Sequence, residues 1–196
     1  MMTTINKSNE RELIMGLNMC LNKKIYIGAE CDFNEITGVI DIKKKGETIP
    51  INFKKVTYIV EEAVYWRKAN QIHKWFVDNI QNGVDDGGEY YVSKEDIQKL
   101  LETINTLFDE VNSIVDLSNI DFYEIEIAKF NKKINEHRSK IDEICQKLLP
   151  SQSGCFYGGT PYDYFYFYDL DRTKTELKEL LKEDDKHFHY YYHASW

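Results

Sequence analysis

The chain lacks most of the features that announce a function. Its four cysteines, Cys20, Cys31, Cys145 and Cys155, include no CxxC pair, and no histidine stands at zinc-finger spacing from them. Reduced thiols are therefore expected, and neither a disulfide framework nor a structural zinc. No apolar run approaches the ~18 residues of a membrane span. The opening MMTTINKSNEREL has no apolar h-region, so no secretory signal is expected. A basic excess is missing too. The formal net charge is -8, with lysines dispersed among Asp and Glu, which argues against a duplex nucleic-acid binder. A small anionic ligand needs only a few local cations and stays open.

What is present fits one soluble-type domain. At 196 residues the chain is long enough to bury a core without staples. The expected fold is α+β: a mixed or antiparallel sheet packed on helices, with a projecting antiparallel helical hairpin. Residues 15–196 make the domain, 93–149 the hairpin elaboration, and the polar residues 1–14 a flexible extension.

The strand-rich first third reads as Ile25 and Ile27 alternating with Tyr26, then ITGVIDI (36–42) and IPINF (49–53) around the turn KKKGE. Residues 60–80 read as a helix, because Tyr65, Ala69, Ile72, Phe76 and Ile80 recur at helical spacing. Ser93 is an N-cap with Asp96 three residues on, an imperfect capping box. The hairpin follows. Ile97, Leu101, Ile104, Phe108, Val111 and Val115 step 4-3-4-3-4 on one arm. Ile127, Phe130, Ile134, His137, Ile141, Ile144 and Leu148 step 3-4-3-4-3-4 on the other. Pro150 ends the second arm. Seam residues in excess of one hairpin would favour a homodimer. The stretch TPYDYFYFYD (160–169) reads as a strand with Phe165 and Phe167 in the core and Tyr162, Tyr164, Tyr166 and Tyr168 on a half-wet face. A helix over 171–181 and a last strand, HFHYYYHASW, close the chain.

Four constellations carry chemistry. YWRKANQIHKWF presents Trp66, Arg67, Asn70 and His73 on a short stretch, where Arg67 can fork onto a carboxylate or phosphate. GVDDGGEYY holds Asp85 and Asp86, a carboxylate pair suited to a metal or to acid–base work, although the terminal Glu of an EF-hand is missing. QSGCFYGGT offers Gln152, Ser153 and Gly154 in a glycine-rich turn whose backbone N–H groups can cradle an anion, without the GK[ST] of a P-loop. The tyrosines of 162–168, with Asp163, offer an aromatic platform. Each has an ordinary structural alternative: a core histidine, an exposed turn, a packed strand. His187, His189 and His193 lie along the last strand without a completing ligand.

Five blocks in this order resemble a family of small bacteriophage- and prophage-associated proteins. They are MGLNMCL (15–21), YWRKANQIHKWF (65–76), GVDDGGEYYVS (83–93), LLPSQSGCFYGGTPYD (148–163) and YYYHASW (190–196). The family pattern starts at Met15, and 105–145 is longer here than in the pattern. The resemblance brings no activity or cofactor. It implies a phage or mobile-element origin, a host-cytosol location, and importance for Trp66, Arg67, Asn70, His73, Asp85, Asp86, Gln152, Ser153, Gly154 and Asp163. Three functions stay open: a binder of a small anionic, nucleotide-like ligand that counters host defence signalling; an inhibitor docking a host protein through the hairpin; and a small hydrolase using His73 with Asp85 and Asp86. The ligand sites expected of the first are Trp66, Arg67, Asn70, His73, Gln152, Ser153, Gly154, Tyr162, Asp163 and Tyr164.

Overall fold

A four-stranded antiparallel sheet carries the helices on one face. The structure, a computed structural model, describes residues 16–27, 42–52 and 55–196. Strand β1 (Asn18–Tyr26) runs up the middle, between β4 (Tyr58–Arg67) and β6 (Phe188–Ser195), and β5 (Glu89–Val92) closes the far edge in the order β4-β1-β6-β5. Register explains the layering. Met19 lies opposite Trp66 and Ala194, and Leu21 opposite Val64 and Tyr192. Those side chains share the covered face and are buried, while their neighbours Cys20, Tyr65 and His193 share the other. A small hairpin, β2 (Ile42–Lys44) and β3 (Glu47–Ile49), turns through Lys45 and Gly46, both at positive φ. That two-residue geometry matches strand twist and favours glycine at its second position. The expected hairpin is therefore found in short form; the rest of 36–42, and the extension 1–14, lie outside the described residues.

Helices α1 (Asn70–Asn79), α2 (Lys94–Asn112), α3 (Ile127–Asn135), α4 (Arg138–Leu148) and α5 (Tyr164–Leu180) complete one α+β domain. α2 starts as expected: Ser93 Oγ accepts from the Asp96 N–H, and Asp96 returns a bond to the Ser93 N–H. The shorter Asp thus closes the capping box. The second arm is not one helix but two, because the chain breaks at Glu136–His137, and His137 is exposed rather than in the seam. Nor does the hairpin project. α2 packs on both α4 and α5, α3 packs on α5, and Ile97, Leu101, Ile104, Phe108, Val111, Phe130, Ile134 and Ile141 join the same continuous core as the sheet.

Two further expectations are overturned. Residues 60–67 are strand, not helix. Val64 and Trp66 alternate inward, a pattern that β-branched and aromatic residues favour, and β1 captures the segment by its full register. Helix begins only at Asn70 because Lys68 takes a positive φ of 60° and gives its N–H to the Leu17 carbonyl. The stretch 160–169 is the reverse case, helix where strand was expected. Asp163 caps α5 by accepting from the Phe165 N–H; four residues on, Tyr162 meets Tyr166 edge to face and Tyr164 stacks on Tyr168. Tyr166, Leu170, Thr173, Leu177 and Leu180 then form the buried stripe. Phe167 is core, but Phe165 is 59% exposed, the opposite of the strand reading.

Candidate functional site

The polar and glycine-rich blocks of the sequence meet around the turn between β4 and α1. Two neighbouring polar sites result, one closed and one open.

The closed site is built on His73, which is fully buried. Its Nδ1 lies 2.8 Å from the Tyr192 hydroxyl and its Nε2 2.9 Å from Asp85 Oδ2. Tyr157 donates to the same Asp85 oxygen at 2.7 Å. The rings of Tyr157, Tyr192 and Trp196 surround the imidazole. Burial pushes the Tyr157 and Tyr192 hydroxyls above the ordinary phenol range, and Asp85 adds to the shift in each. Both phenols are therefore neutral donors at physiological pH. With both imidazole nitrogens engaged, the cluster ties α1, the 83–88 loop, the 154–159 loop and β6 together. Asp86 points away: it accepts from the Gly88 N–H and the Tyr90 hydroxyl, which hold its carboxyl below the usual range. The acidic pair thus divides between two jobs. Among the described residues, no group of three or more His, Cys, Asp or Glu is placed to hold a metal ion.

The open site is a cleft of about 310 Å³ lined by Arg67, Lys68 and Gln71 together with Gly158, Gly159, Pro161, Asp163, Phe165, Tyr166, Tyr168 and Asp169. Its shape follows from the local backbone. The positive φ at Lys68 turns Arg67 and Lys68 outward, and both are exposed. Gly158 (φ 96°) rests on Lys68 so closely that a Cβ there would come within 2.9 Å of the Lys68 Cβ. Asn70, buried, pins the glycine loop by donating to the carbonyls of Tyr157 and Gly159 and accepting from the Gln152 N–H. Among the described residues neither Arg67 nor Lys68 has an ion-pair partner, while two carboxyls, Asp163 and Asp169, share the lining. In the same lining, burial pushes the Asp169 carboxyl up to about 7, against the opposing pull of Arg172 and Gln71. The cleft joins a cationic edge, an exposed aromatic ring and a carboxyl that titrates near neutrality.

Of the expected ligand residues, Arg67 and Asp163 line this cleft. Trp66 does not: its indole is buried and donates to Thr173 Oγ1 at 2.8 Å. Asn70 and His73 are structural clamps sealed beneath the surface. Gln152, Ser153 and Gly154 lie on the loop but outside the cleft lining. Tyr162 turns to Gln146, and Tyr164 to the Phe122 carbonyl; both serve the helix packing. Tyr166 and Tyr168, two of the four platform tyrosines, do line the cleft, and Lys68 joins Arg67 there. Phe165 and Asp169 were missed as site residues, hidden by the wrong period assigned to 160–169.

Among the described residues Cys20, Cys145 and Cys155 form no disulfide, and burial pushes the Cys145 thiol up to about 12. Cys31 lies outside the described residues. Among the described residues no helix is long and apolar enough to cross a membrane. Comparison with known proteins returns no matching family model, no matching curated protein and no matching solved structure.

Proposed function

We propose that the protein binds a small anionic, nucleotide-like molecule in the Arg67–Asp169 cleft. One observation carries this reading: blocks 65–76 and 152–168, far apart in sequence, line one cavity whose two cations have no ion-pair partner among the described residues. A few convergent polar groups in a partly apolar cleft of this size are the usual make-up of a small-molecule site. Arg67 forks onto an anionic group, and Lys68 adds a second charge. Phe165 gives a ring face for stacking, and Asp163 and Asp169 accept from donor groups at the other end of the ligand. With the resemblance to phage-associated proteins, the reading extends to withdrawal of a host nucleotide signal from the cytosol.

The alternatives draw less support. A hydrolase using His73 needs the imidazole to reach a substrate, yet it is sealed and doubly bonded. An inhibitor docking through the hairpin seam needs that seam free, yet most of it is core.

Calorimetric titration with a panel of purine and pyrimidine nucleoside monophosphates, cyclic nucleotides and inorganic phosphate tests the proposal. The expected result is saturable binding of at least one nucleotide that Arg67→Ala weakens tenfold or more, with an unchanged melting temperature. A panel that fails to bind, or binding indifferent to Arg67, would overturn it.

A further inference from the structure

The face of the sheet turned away from the helices is also built for a ligand. Across β4, β1, β6 and β5 it carries Tyr58, Tyr26, Tyr191 and Tyr91, with His189 and His193 on β6. Tyr58, Tyr91 and His189 are exposed and Tyr191 is half-buried. Among the described residues, α1 and α5 reach the opposite face, where Trp66 meets Phe76 and Thr173 and Tyr192 stacks on Phe76. At one end of the aromatic face a groove of about 690 Å³ is lined by Lys24, Tyr26, Tyr58, Lys186, His187, His189 and Tyr191 with Ile25 and Phe188.

The groove's own lining is cationic, although Glu62 and Glu89 stand on the same sheet face. Its described lining holds two lysines and two histidines and no carboxylate, on a chain of net charge -8. Lys24 Nζ sits 4.9 Å from the centre of the Tyr191 ring and 6.0 Å from that of Tyr58. A cation is thus threaded between two ring faces, as phosphates alternate with bases along a strand. The lysines have partners outside the groove lining, Glu89 for Lys24 and Asp184 for Lys186. The Lys186–Asp184 pair is exposed and contributes little, and the Lys24–Glu89 pair is partly buried, so a phosphate at Lys24 competes with Glu89.

We propose that this face binds single-stranded nucleic acid, its bases stacking on Tyr58 and Tyr191 and its phosphates running past Lys24, Lys186 and the β6 histidines. Antiparallel sheets with exposed aromatics on their strands present bases with stacking surfaces that a duplex cannot reach, since its bases are already stacked. The four-strand width accommodates a short stretch only. Binding is sequence-tolerant, because every base has a ring face, and salt-sensitive, because phosphates release counterions.

Fluorescence anisotropy with a short labelled oligothymidylate, on the full chain at low salt, decides it. The expected result is binding tighter than to a labelled duplex of similar length, and weakening as salt rises. Tyr58→Ala and Tyr191→Ala should each lower affinity about fivefold or more, the effect of losing one stacked base. Tyr58 lies on the edge strand, so its variant keeps the test sound where Tyr191→Ala disturbs folding. Arg67→Ala, in the separate cleft, should leave oligonucleotide affinity unchanged. No binding at low salt, equal affinity for the duplex, indifference to Tyr58→Ala in a folded variant, or loss with Arg67→Ala would each overturn the proposal. Concentration-dependent dimerisation abolished by Tyr58→Ala, without oligonucleotide binding, would assign the face to a second copy instead.

Discussion

His73 and Arg67 stand six residues apart in one block, yet one is spent on the protein and the other on solvent. His73 has both ring nitrogens bonded inside the protein and no exposed surface. Arg67 has no ion-pair partner among the described residues and lies open in a cleft. The turn at Lys68 separates the two fates: it ends β4, aims Arg67 outward, and lets α1 drive His73 beneath the glycine loop. A block of polar residues held together in sequence therefore mixes two functions, holding the site and being the site. Polarity alone does not separate them; the burial of each hydrogen-bonding atom does.

The comparison breaks most visibly at the closed site. His73→Ala removes the partner of a buried phenol and of a partly buried carboxylate, and leaves a cavity. It should cost about 3 kcal/mol, within the range for unpairing buried polar groups and truncating a core side chain. Urea unfolding followed by tryptophan fluorescence reads this directly. A loss below about 1 kcal/mol would mean that the cluster is looser than its geometry, and that His73 is available for other work. At the open site the pattern inverts. Arg67→Ala should change stability by less than about 0.5 kcal/mol, as exposed substitutions do, while weakening nucleotide binding tenfold, about 1.4 kcal/mol.

Reading the sequence captured more of the fold than of the site. α2 was legible because its seam is strongly periodic and its cap is local, Ser93 with Asp96. β6 was legible from its short run of aromatics after a charged loop. Residues 60–67 misled because Tyr65, Ala69, Ile72 and Phe76 satisfy a helical period, while Val64 and Trp66 satisfy a strand period. The pairing with β1, a long-range fact, decides between them. In 164–168 every position is aromatic, so neither period stands out, and the Asp163 cap was the one local signal. The cleft inherits that error. Arg67 and Asp163 were reachable by chemistry, but Phe165 and Asp169 join the cleft only when the segment is coiled as a helix.

Asp169 sharpens the comparison through pH. Its carboxyl is raised on folding from the ordinary range near 4 to about 7 by burial. The folded state therefore holds the proton more tightly than the unfolded chain. Below pH ~4 both states are protonated and the group costs nothing. Stability is lost as pH rises from ~4 to ~7, where the unfolded chain has already ionised. Asp169→Asn should thus raise stability at pH 8, by about 1 kcal/mol after allowance for partial exposure and the nearby Arg172, and do little at pH 4. Melting temperatures of the two proteins across this range test it, and parallel curves would mean an unperturbed carboxyl. The same titration bears on the cleft: protonation removes a negative charge facing Arg67 and Lys68, so anion affinity should fall as pH rises through 7, and the Asn variant should flatten that fall.

Phe165 carries the smallest stability effect and the cleanest contrast with its neighbour two residues on. Phe167 is fully buried, packed among Phe108, Phe130 and Tyr166. Truncating it to Ala should cost about 3–5 kcal/mol. Phe165 stands on the same helix, faces the cleft and is largely in solvent. Its ring already has water on most of its surface, so Phe165→Ala gives up little transfer free energy. Alanine also has the better helix propensity, which offsets part of that loss. The net change should be within about 0.5 kcal/mol by chemical denaturation. An exposed phenylalanine kept for stacking should show itself in binding instead: the variant should weaken a nucleotide about fivefold or more, the scale of one ring–ring contact, and leave inorganic phosphate untouched. Equal losses for nucleotide and phosphate would assign the whole affinity to Arg67 and Lys68 and leave the ring without a role. A stability loss near that of Phe167→Ala would return 160–169 to the alternating strand, and with it close the cleft.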